Sequence, residues 1–347
     1  MMLLRSKAPV RVDFAGGTTD LADFCSREGG VVVNAAISRY AYCTLRTVEG
    51  DHVRICSDDL QQFVEAQSIR ELEYDGNLDL LKAAVRALAL SCGLDVMVRC
   101  DAPPGAGTGS SASIGVALLG MVDALRRGLG GSHQALSRYE LADMACRIEH
   151  DLGIVGGKQD QYAAALGGVN YMAFYDKGRV AVQRMELPPE TLNELEKHLV
   201  LCYSGESRLS GDTNQRMMSA YLSGDPTVQK ALRDVRRVAE DITGVLRAGD
   251  TAAFGELLEE ETRARVKLCD GVMTPAMANL REAALAAGAI GGKICGAGGG
   301  GCMLFYCRPD AEGGVARALT DAGGLILDFN FDHAGLQVWE PPDRAQC

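Results

Sequence analysis

Two hydrophobic patterns, one typical of strands and one typical of helices, occur in the first part of the chain. Before Pro188-Pro189, short runs rich in β-branched residues predict strands. These strands cover residues 8–14, 31–48 and 95–100, with a hairpin at 168–186 around Asp176-Lys177-Gly178. Apolar residues with the spacing of one helix face predict helices between the strands. The helices cover residues at about 78–91, 110–127 and 135–150.

The pattern changes after Pro188-Pro189. Residues 211–287 are charged and helical, interrupted by glycine, aspartate and proline, with a helix-start signal at Thr274-Pro275. The elements predicted after them are a strand at 302–307, a helix at 311–322 and a strand at 325–331. We therefore expect an α+β protein of two domains, residues 1–187 and 188–347.

Composition and charge exclude several classes of protein. Of the 347 residues, 47% are hydrophobic and 23% are charged, which is typical of a globular protein. No apolar run approaches the roughly 18–20 residues that cross a bilayer, and the first residues lack the apolar stretch of a secretory signal. We therefore expect a cytoplasmic protein that does not contact membranes. The formal net charge of −11 disfavours nucleic acid as a partner. Twelve scattered cysteines without a CxxC pair predict reduced thiols and no structural metal.

The strongest local motif is PPGAGTGSSAS at residues 103–113, between a predicted strand and a predicted helix. Its glycines allow backbone N–H groups at a helix N-terminus to turn towards a phosphate. It is not a Walker loop, because GxxxxGK[ST] occurs nowhere in the sequence. The alternative is an ordinary glycine-rich turn capped by Ser110. Three alternating glycines followed by four small residues favour phosphate binding.

Two further segments carry weaker signals. In CGAGGGG, residues 295–301, a tight chain reversal explains one or two glycines. Close approach to a ligand, or to the other glycine loop, explains the rest. In APVRVDFAGGTTDL, residues 8–21, Arg11 and Asp20 flank a Gly-Gly turn, and taken alone they predict a surface pair.

Together the three segments resemble the galactokinase–homoserine kinase–mevalonate kinase–phosphomevalonate kinase (GHMP) superfamily, with Thr108 at a usually aliphatic position. The resemblance implies an N-terminal domain like domain 2 of ribosomal protein S5 and a ferredoxin-like C-terminal domain. The active site would lie in the cleft between them. ATP and Mg²⁺ would be the cofactors.

The resemblance also assigns roles to matching positions. Asp160 resembles the catalytic aspartate and Arg11 its basic partner, while Ser111 and Glu149 resemble ligands of Mg²⁺. The residues implied in ATP binding are Pro104, Gly105, Ala106, Gly107, Thr108, Gly109, Ser110 and Ser111. The residues implied in substrate binding are Gly16, Gly17, Thr18, Thr19, Asp20, Lys158, Arg208, Gly298 and Gly299. From the residues alone, Glu149 could instead be a solvated helix residue and Asp160 the N-cap of a helix at 161–166.

Four segments resemble more closely the D-glycero-D-manno-heptose 7-phosphate kinase type of bacterial sugar 1-kinase. They are FAGGTTDLADF, GGVVVNAAIS, DLGIVGGKQDQYAAALGGVNYMAFY and LDFNF. Thr18 stands where that type has a glycine. A sugar phosphate is therefore the expected acceptor, whose second phosphate Lys158 or Arg208, or less favourably Lys7, Arg39 or Arg216, would bind. A fucokinase-like enzyme, a mevalonate-branch decarboxylase and a non-catalytic sugar- and ATP-binding regulator are the alternatives. We expect a monomer or homodimer.

Overall fold

The computed structural model describes residues 2–129, 134–207 and 210–342. Within them the chain forms two β-sheets with helices packed around both. The strands are β1 (Leu3–Ala15), β2 (Gly30–Val48), β3 (Val53–Ser57), β4 (Gln62–Ala66), β5 (Gly93–Cys100), β6 (Val169–Phe174), β7 (Val180–Arg184), β8 (Leu199–Tyr203), β9 (Ala289–Ile294), β10 (Cys302–Cys307), β11 (Leu325–Ile326) and β12 (Gln337–Trp339).

The helices begin and end at recognisable signals. A capping box formed by Ser137 and Glu140 closes the first turn of α4, and Thr274 caps α10 ahead of its first residue, Pro275. The helices are α1 (Ala22–Glu28), α2 (Asp79–Arg86), α3 (Ser110–Gly128), α4 (Arg138–Asp151), α5 (Gln159–Leu166), α6 (Pro189–His198), α7 (Ser210–Leu222), α8 (Pro226–Ala248), α9 (Thr251–Arg265), α10 (Pro275–Ala287) and α11 (Glu312–Asp321). None of these described helices is long and apolar enough to cross a membrane.

The first sheet is organised around the long strand β2. Its order is β12-β1-β2-β5-β3-β4, and β6 and β7 join it through the first part of β2. Strand β1 pairs with β2 over almost its whole length, whereas β6 and β5 pair with successive parts of β2. Because β12 comes from the chain's end, the last described residues return to this sheet. The division at residues 187 and 188 stays a prediction.

The second sheet has the order β11-β8-β10-β9, and all its pairs are antiparallel. Counted along the chain, this order is fourth, first, third, second, which is the arrangement of a ferredoxin-like sheet. Helices α7, α8, α10 and α11 pack their apolar side chains against it.

One hydrophobic cluster joins the two sheets. Val12 and Phe14 of β1 pack with Leu246 of α8, Phe254 of α9 and Leu304 of β10 in a single buried group. The ring of Phe14 meets the ring of Phe254 edge to face, with centroids 5.1 Å apart. This contact fixes the end of β1, and with it Arg11, relative to the C-terminal sheet.

Several predicted elements need correction. Strand 325–331 is a strand only at Leu325–Ile326, and Phe331 forms an isolated bridge with Ile37. The short strands β3, β4 and β8 had no predicted counterpart. Helix α5 begins at Gln159, with Lys158 in the N-cap position, so Asp160 lies inside its first turn and the N-cap interpretation of Asp160 is wrong.

Candidate active site

The glycine-rich loop at residues 103–109 connects β5 to α3, as predicted. Gly105, Gly107 and Gly109 have φ angles of +69°, +72° and +78°, in the left-handed region that favours glycine. Because Gly109 occupies the N-cap position of α3, no side chain caps the first turn of that helix. The N–H groups of this turn are therefore available to an anion, and the helix dipole favours a negative charge there.

Arg11 and Asp160 form the ion pair that the sequence predicted. The Arg11 Nε and Nη2 atoms lie 2.8 Å and 2.7 Å from Asp160 Oδ1. The Arg11 Nη1 atom donates to the carbonyl of Gly107 at 2.5 Å, and the backbone N–H of Arg11 donates to the carbonyl of Thr108. Burial opposes the charge of Arg11, but Asp160 and Asp13 outweigh it and raise the pKa of the guanidinium. Arg11 therefore holds the loop and the carboxylate in one arrangement.

Glu149 lies in the same cleft as Asp160, near the end of α4. Its carboxylate accepts a hydrogen bond from Gln161 Nε2 at 2.8 Å. Burial, with repulsion from Asp160 in second place, raises the pKa of Glu149 to about 7. The exposed residue Ser111 lines the cleft as well. A hydroxyl and a carboxylate facing one cleft beside the glycine-rich loop suit Mg²⁺, which prefers oxygen ligands and takes several from phosphates.

The first glycine turn divides its predicted substrate residues into two groups. Gly17, Thr18 and Asp20 line the cleft. Gly16 packs on the backbone of Val31, and the Thr19 hydroxyl bonds within the turn and to the Val31 backbone, so both shape the turn instead. The role of these two residues in substrate binding stays a prediction.

The carboxylate of Asp20 caps the helix that carries Asp160. Its Oδ2 atom accepts from the backbone N–H groups of Lys158 and Gln159 at 2.8 Å and 3.1 Å. Burial raises the pKa of Asp20 to about 6 and repulsion from Asp160 adds to the rise, although the hydrogen bond from the Gln159 N–H opposes it. Asp20 thus positions α5, and it also lines the cleft.

The second glycine loop, residues 295–301, packs directly on the first. The N–H of Cys302 donates to the carbonyl of Ala106 at 2.8 Å, and a side chain at Gly107 would lie 2.5 Å from the carbonyl of Cys295. Close approach of the two loops therefore accounts for part of the glycine content. Gly298 lines the cleft, whereas the N–H of Gly299 donates to the carbonyl of Val272.

The basic residues considered for a second phosphate are dispersed. Lys7 lies over the ring of Tyr40, Arg39 donates to the carbonyl of Asp328, and Arg216 to that of Asp270. The Lys158 ammonium donates to the carbonyl of Gly178 at 2.9 Å, in a chamber next to the cleft. Arg208 lies outside the described residues.

The cleft as a whole lies between the two sheets and encloses about 260 Å³. Arg11, Ser111, Glu149 and Asp160 all line it, together with both glycine loops.

Two protein-family models match the chain: "GHMP kinases N terminal domain" at residues 79–168 and "GHMP kinases C terminal" at residues 242–324. Over 345 residues the chain is 31% identical to D-glycero-alpha-D-manno-heptose 7-phosphate kinase from Campylobacter jejuni, covering 98% of this chain and 99% of that protein. The protein belongs to the GHMP kinase family. The predicted superfamily, fold class and kinase activity are confirmed.

Solved structures agree with this assignment to the GHMP kinases. A D-glycero-D-manno-heptose 1-phosphate kinase from Bacteroides thetaiotaomicron superposes with a TM-score of 0.79 at 30% identity, covering 98% of this chain and 100% of that one. Galactokinase from Lactococcus lactis, in complex with galactose, superposes with a TM-score of 0.75 at 19% identity, covering 96% and 95%. The second likeness shows the fold alone.

The structure of this GHMP kinase also reveals site residues that the sequence analysis missed. Arg265 is fully buried and donates to Thr18 Oγ1, to the carbonyl of Gly17 and to the carbonyl of Gly296 at 2.7–3.1 Å. Its charge is balanced by Glu261, 2.6 Å away. Arg265 therefore ties the first glycine turn to the second glycine loop. Within a long charged helical segment nothing distinguished it from a surface arginine.

A second buried ion pair supports the same region. Lys293 Nζ lies 2.7 Å from Asp13 Oδ2, and both side chains are fully buried. Burial acts to raise the pKa of Asp13, but Lys293, Arg11 and Arg265 outweigh it and lower the pKa to about 2. Asp13 is two residues from Arg11 on β1, so this charge also fixes the strand that carries Arg11.

Proposed function

We propose that this enzyme transfers the γ-phosphate of ATP to the anomeric hydroxyl of a sugar phosphate, with D-glycero-D-manno-heptose 7-phosphate as the first candidate. The observation that carries the proposal is the Arg11–Asp160 ion pair, held against the phosphate loop in a cleft between two domains. The full-length likeness to a heptose 7-phosphate kinase supports the choice of acceptor.

Each residue has a proposed task in this reaction. Asp160 orients the acceptor hydroxyl and takes its proton, and Arg11 keeps the carboxylate in place. The N–H groups at the start of α3, with the loop 104–111, hold the phosphates of ATP. Ser111 and Glu149 would hold Mg²⁺, which supplies charge stabilisation for phosphoryl transfer when bound. Phosphoryl transfer depends mainly on positioning and charge stabilisation, and this arrangement offers both.

The names of the relatives differ in the sugar and in the position of its phosphate. One relative is named a heptose 7-phosphate kinase and a similar structure a heptose 1-phosphate kinase. A more distant relative, 24% identical over 88% of this chain, is a bifunctional fucokinase/GDP-fucose pyrophosphorylase from Arabidopsis thaliana.

The complete set Arg11, Ser111, Glu149 and Asp160 in one cleft favours a catalyst over a non-catalytic regulator.

A screen of ADP release tests the proposal. Wild-type enzyme with ATP and Mg²⁺ is mixed separately with free and phosphorylated hexoses and heptoses, and with mevalonate. We expect the highest kcat/KM for a heptose phosphate, and a loss of that ADP release in Asp160→Asn. ADP release only with an unphosphorylated sugar would favour the fucokinase-like alternative, and ADP release with none of the compounds would favour the regulator.

We also propose that the enzyme acts in the cytoplasm, where ATP is available and thiols stay reduced.

A further inference from the structure

A second chamber, of about 360 Å³, opens beside the catalytic cleft. Its walls come from α1, the end of α4, the start of α5 and the turn at residues 174–180. Asp20, Glu149, Gly157 and Gln161 line both the cleft and the chamber, so the two spaces are continuous. None of the reaction steps proposed above uses this chamber.

Gln161 marks the passage between the two spaces. The residue is only 1% exposed and follows Asp160 on α5. Its Nε2 atom donates to Glu149, but its Oε1 atom has no hydrogen-bond partner among the described residues. A buried amide oxygen without a partner is unfavourable, and it favours a ligand that brings a donor to this point. A hydroxyl group of a bound sugar is such a donor.

The chamber also contains cations that the cleft lacks. Lys158, Lys177 and Arg179 line the chamber but not the cleft. The Lys158 ammonium uses one of its three donors on the carbonyl of Gly178, which leaves two for a ligand.

Carboxylates line the chamber as well. Asp20 accepts the N–H groups of Lys158 and Gln159, and Asp176 accepts the N–H of Lys177. The exposed Asp23 and the free oxygen atoms of these groups are acceptors for hydroxyl groups. The lining therefore fits a polyhydroxylated chain that ends in an anion better than it fits an isolated anion.

We propose that the chamber holds the far end of the acceptor, a polyhydroxylated chain with a terminal phosphate. A hydroxyl of this chain donates to Gln161 Oε1, and Lys158, with Lys177 nearby, binds the phosphate. The reacting hydroxyl then faces Asp160 on one side of the first turn of α5, and the tail lies on the other. This inference rests on the proposed function and adds the site of the second phosphate.

Calorimetric binding without nucleotide tests the chamber separately from catalysis. The probes are D-glycero-D-manno-heptose 7-phosphate and the unphosphorylated heptose. Lys158→Gln should weaken binding of the phosphate form by roughly tenfold more than binding of the free heptose. Gln161→Leu should weaken both forms, by about fivefold or more. Arg27→Gln, at an exposed cation of α1 that does not line the chamber, is the matched control and should change neither.

Equal losses for the two heptoses in Lys158→Gln would overturn the proposal, as would failure of wild-type protein to bind either. If Lys158→Gln does not fold, Lys177→Gln is measured in the same way and should again weaken the phosphate form selectively. A preference for the phosphate form that depends on Lys158, but without ADP release, would support the chamber and contradict the proposed function. Phosphorylation of both heptoses with equal kcat/KM would contradict the chamber and leave the kinase activity in place.

Discussion

Asp160 is the residue on which the proposed chemistry depends most. Its carboxylate is held by Arg11 at 2.7 Å and lines the cleft beside the phosphate loop. Asp160→Asn should lower kcat by roughly 10²–10⁴, the usual effect of removing a positioned acid or base. The fold should persist, because the amide still accepts from Arg11. Asp151→Asn, at an exposed carboxylate on the end of α4, is the control. A kcat for Asp160→Asn within a few-fold of wild type would remove Asp160 from the mechanism.

The two proposed metal ligands, Ser111 and Glu149, can be tested through the dependence of the rate on Mg²⁺. Ser111→Ala and Glu149→Gln should both raise the Mg²⁺ concentration that gives half-maximal rate, because each removes an oxygen ligand. The measurement is a Mg²⁺ titration of initial rate at saturating acceptor. An unchanged titration in either variant would show that its residue is not a ligand.

Glu149 also gives a prediction for pH. Burial and Asp160 raise its pKa from 4.5 to about 7 in the folded protein. Between these pH values the folded state binds more protons than the unfolded state, so this group's contribution to stability falls as pH rises. Without Mg²⁺ or nucleotide, Glu149→Gln should therefore raise Tm more at pH 8 than at pH 5. The same Tm difference at both pH values would contradict the assigned cause.

At the scale of elements, the phosphate loop and α5 must fit together closely. A side chain at Gly109 would lie 2.9 Å from Asp160 Oδ2, whereas one at Gly153 would meet nothing within 4 Å. Both glycines have positive φ, so alanine should cost roughly 1–2 kcal/mol of stability at either position. Only Gly109→Ala should displace Asp160, and kcat should fall by roughly 10² for a displacement of about 1 Å. Comparable kcat values for the two variants would contradict this packing.

The elements differ in how well the sequence predicts them. Helices such as α3 and α10 carry apolar periodicity, and α10 also has the cap Thr274 ahead of Pro275, so the sequence locates them closely. Strands β3, β4 and β8 are only five residues long, and β3 and β8 pair with strands that come much later in the chain, β5 for the first and β10 and β11 for the second. Short strands depend on these distant partners, which a local pattern does not contain.

Contacts between distant parts of the chain also limit how much of the site the sequence can predict. Arg11 and Asp160 were paired because their motifs match a family, and their distance of 149 residues along the chain gives no local sign of contact. The roles of Arg265 and Lys293 could not be predicted, because a buried ion pair and a surface charge look alike in sequence. Their function becomes visible only when both domains are folded around them.

At the scale of the whole molecule, a buried network of charges joins the two domains at the cleft. Arg265 contacts Gly17, Thr18 and Gly296, and Thr18 holds a φ of +81°, which is rare for a β-branched residue. Arg265→Met leaves Glu261 without its closest partner, and should cost about 3–5 kcal/mol of stability. Arg263→Ala, on the same helix with a side chain 70% exposed, should change stability by less than about 0.5 kcal/mol. Urea unfolding measures both, and equal effects would contradict a structural role for the network.

The proposed reaction is phosphoryl transfer to the anomeric hydroxyl of a sugar that already carries a phosphate. The most direct measurement is ³¹P NMR, with coupling to protons, of the reaction of wild-type enzyme with ATP, Mg²⁺ and D-glycero-D-manno-heptose 7-phosphate. We expect a second sugar phosphorus signal coupled to the anomeric proton, growing as the γ-phosphate signal of ATP falls, and absent with Asp160→Asn over the same time. A new phosphorus signal coupled to any other carbon-bound proton, or consumption of ATP without a second sugar phosphate, would contradict it.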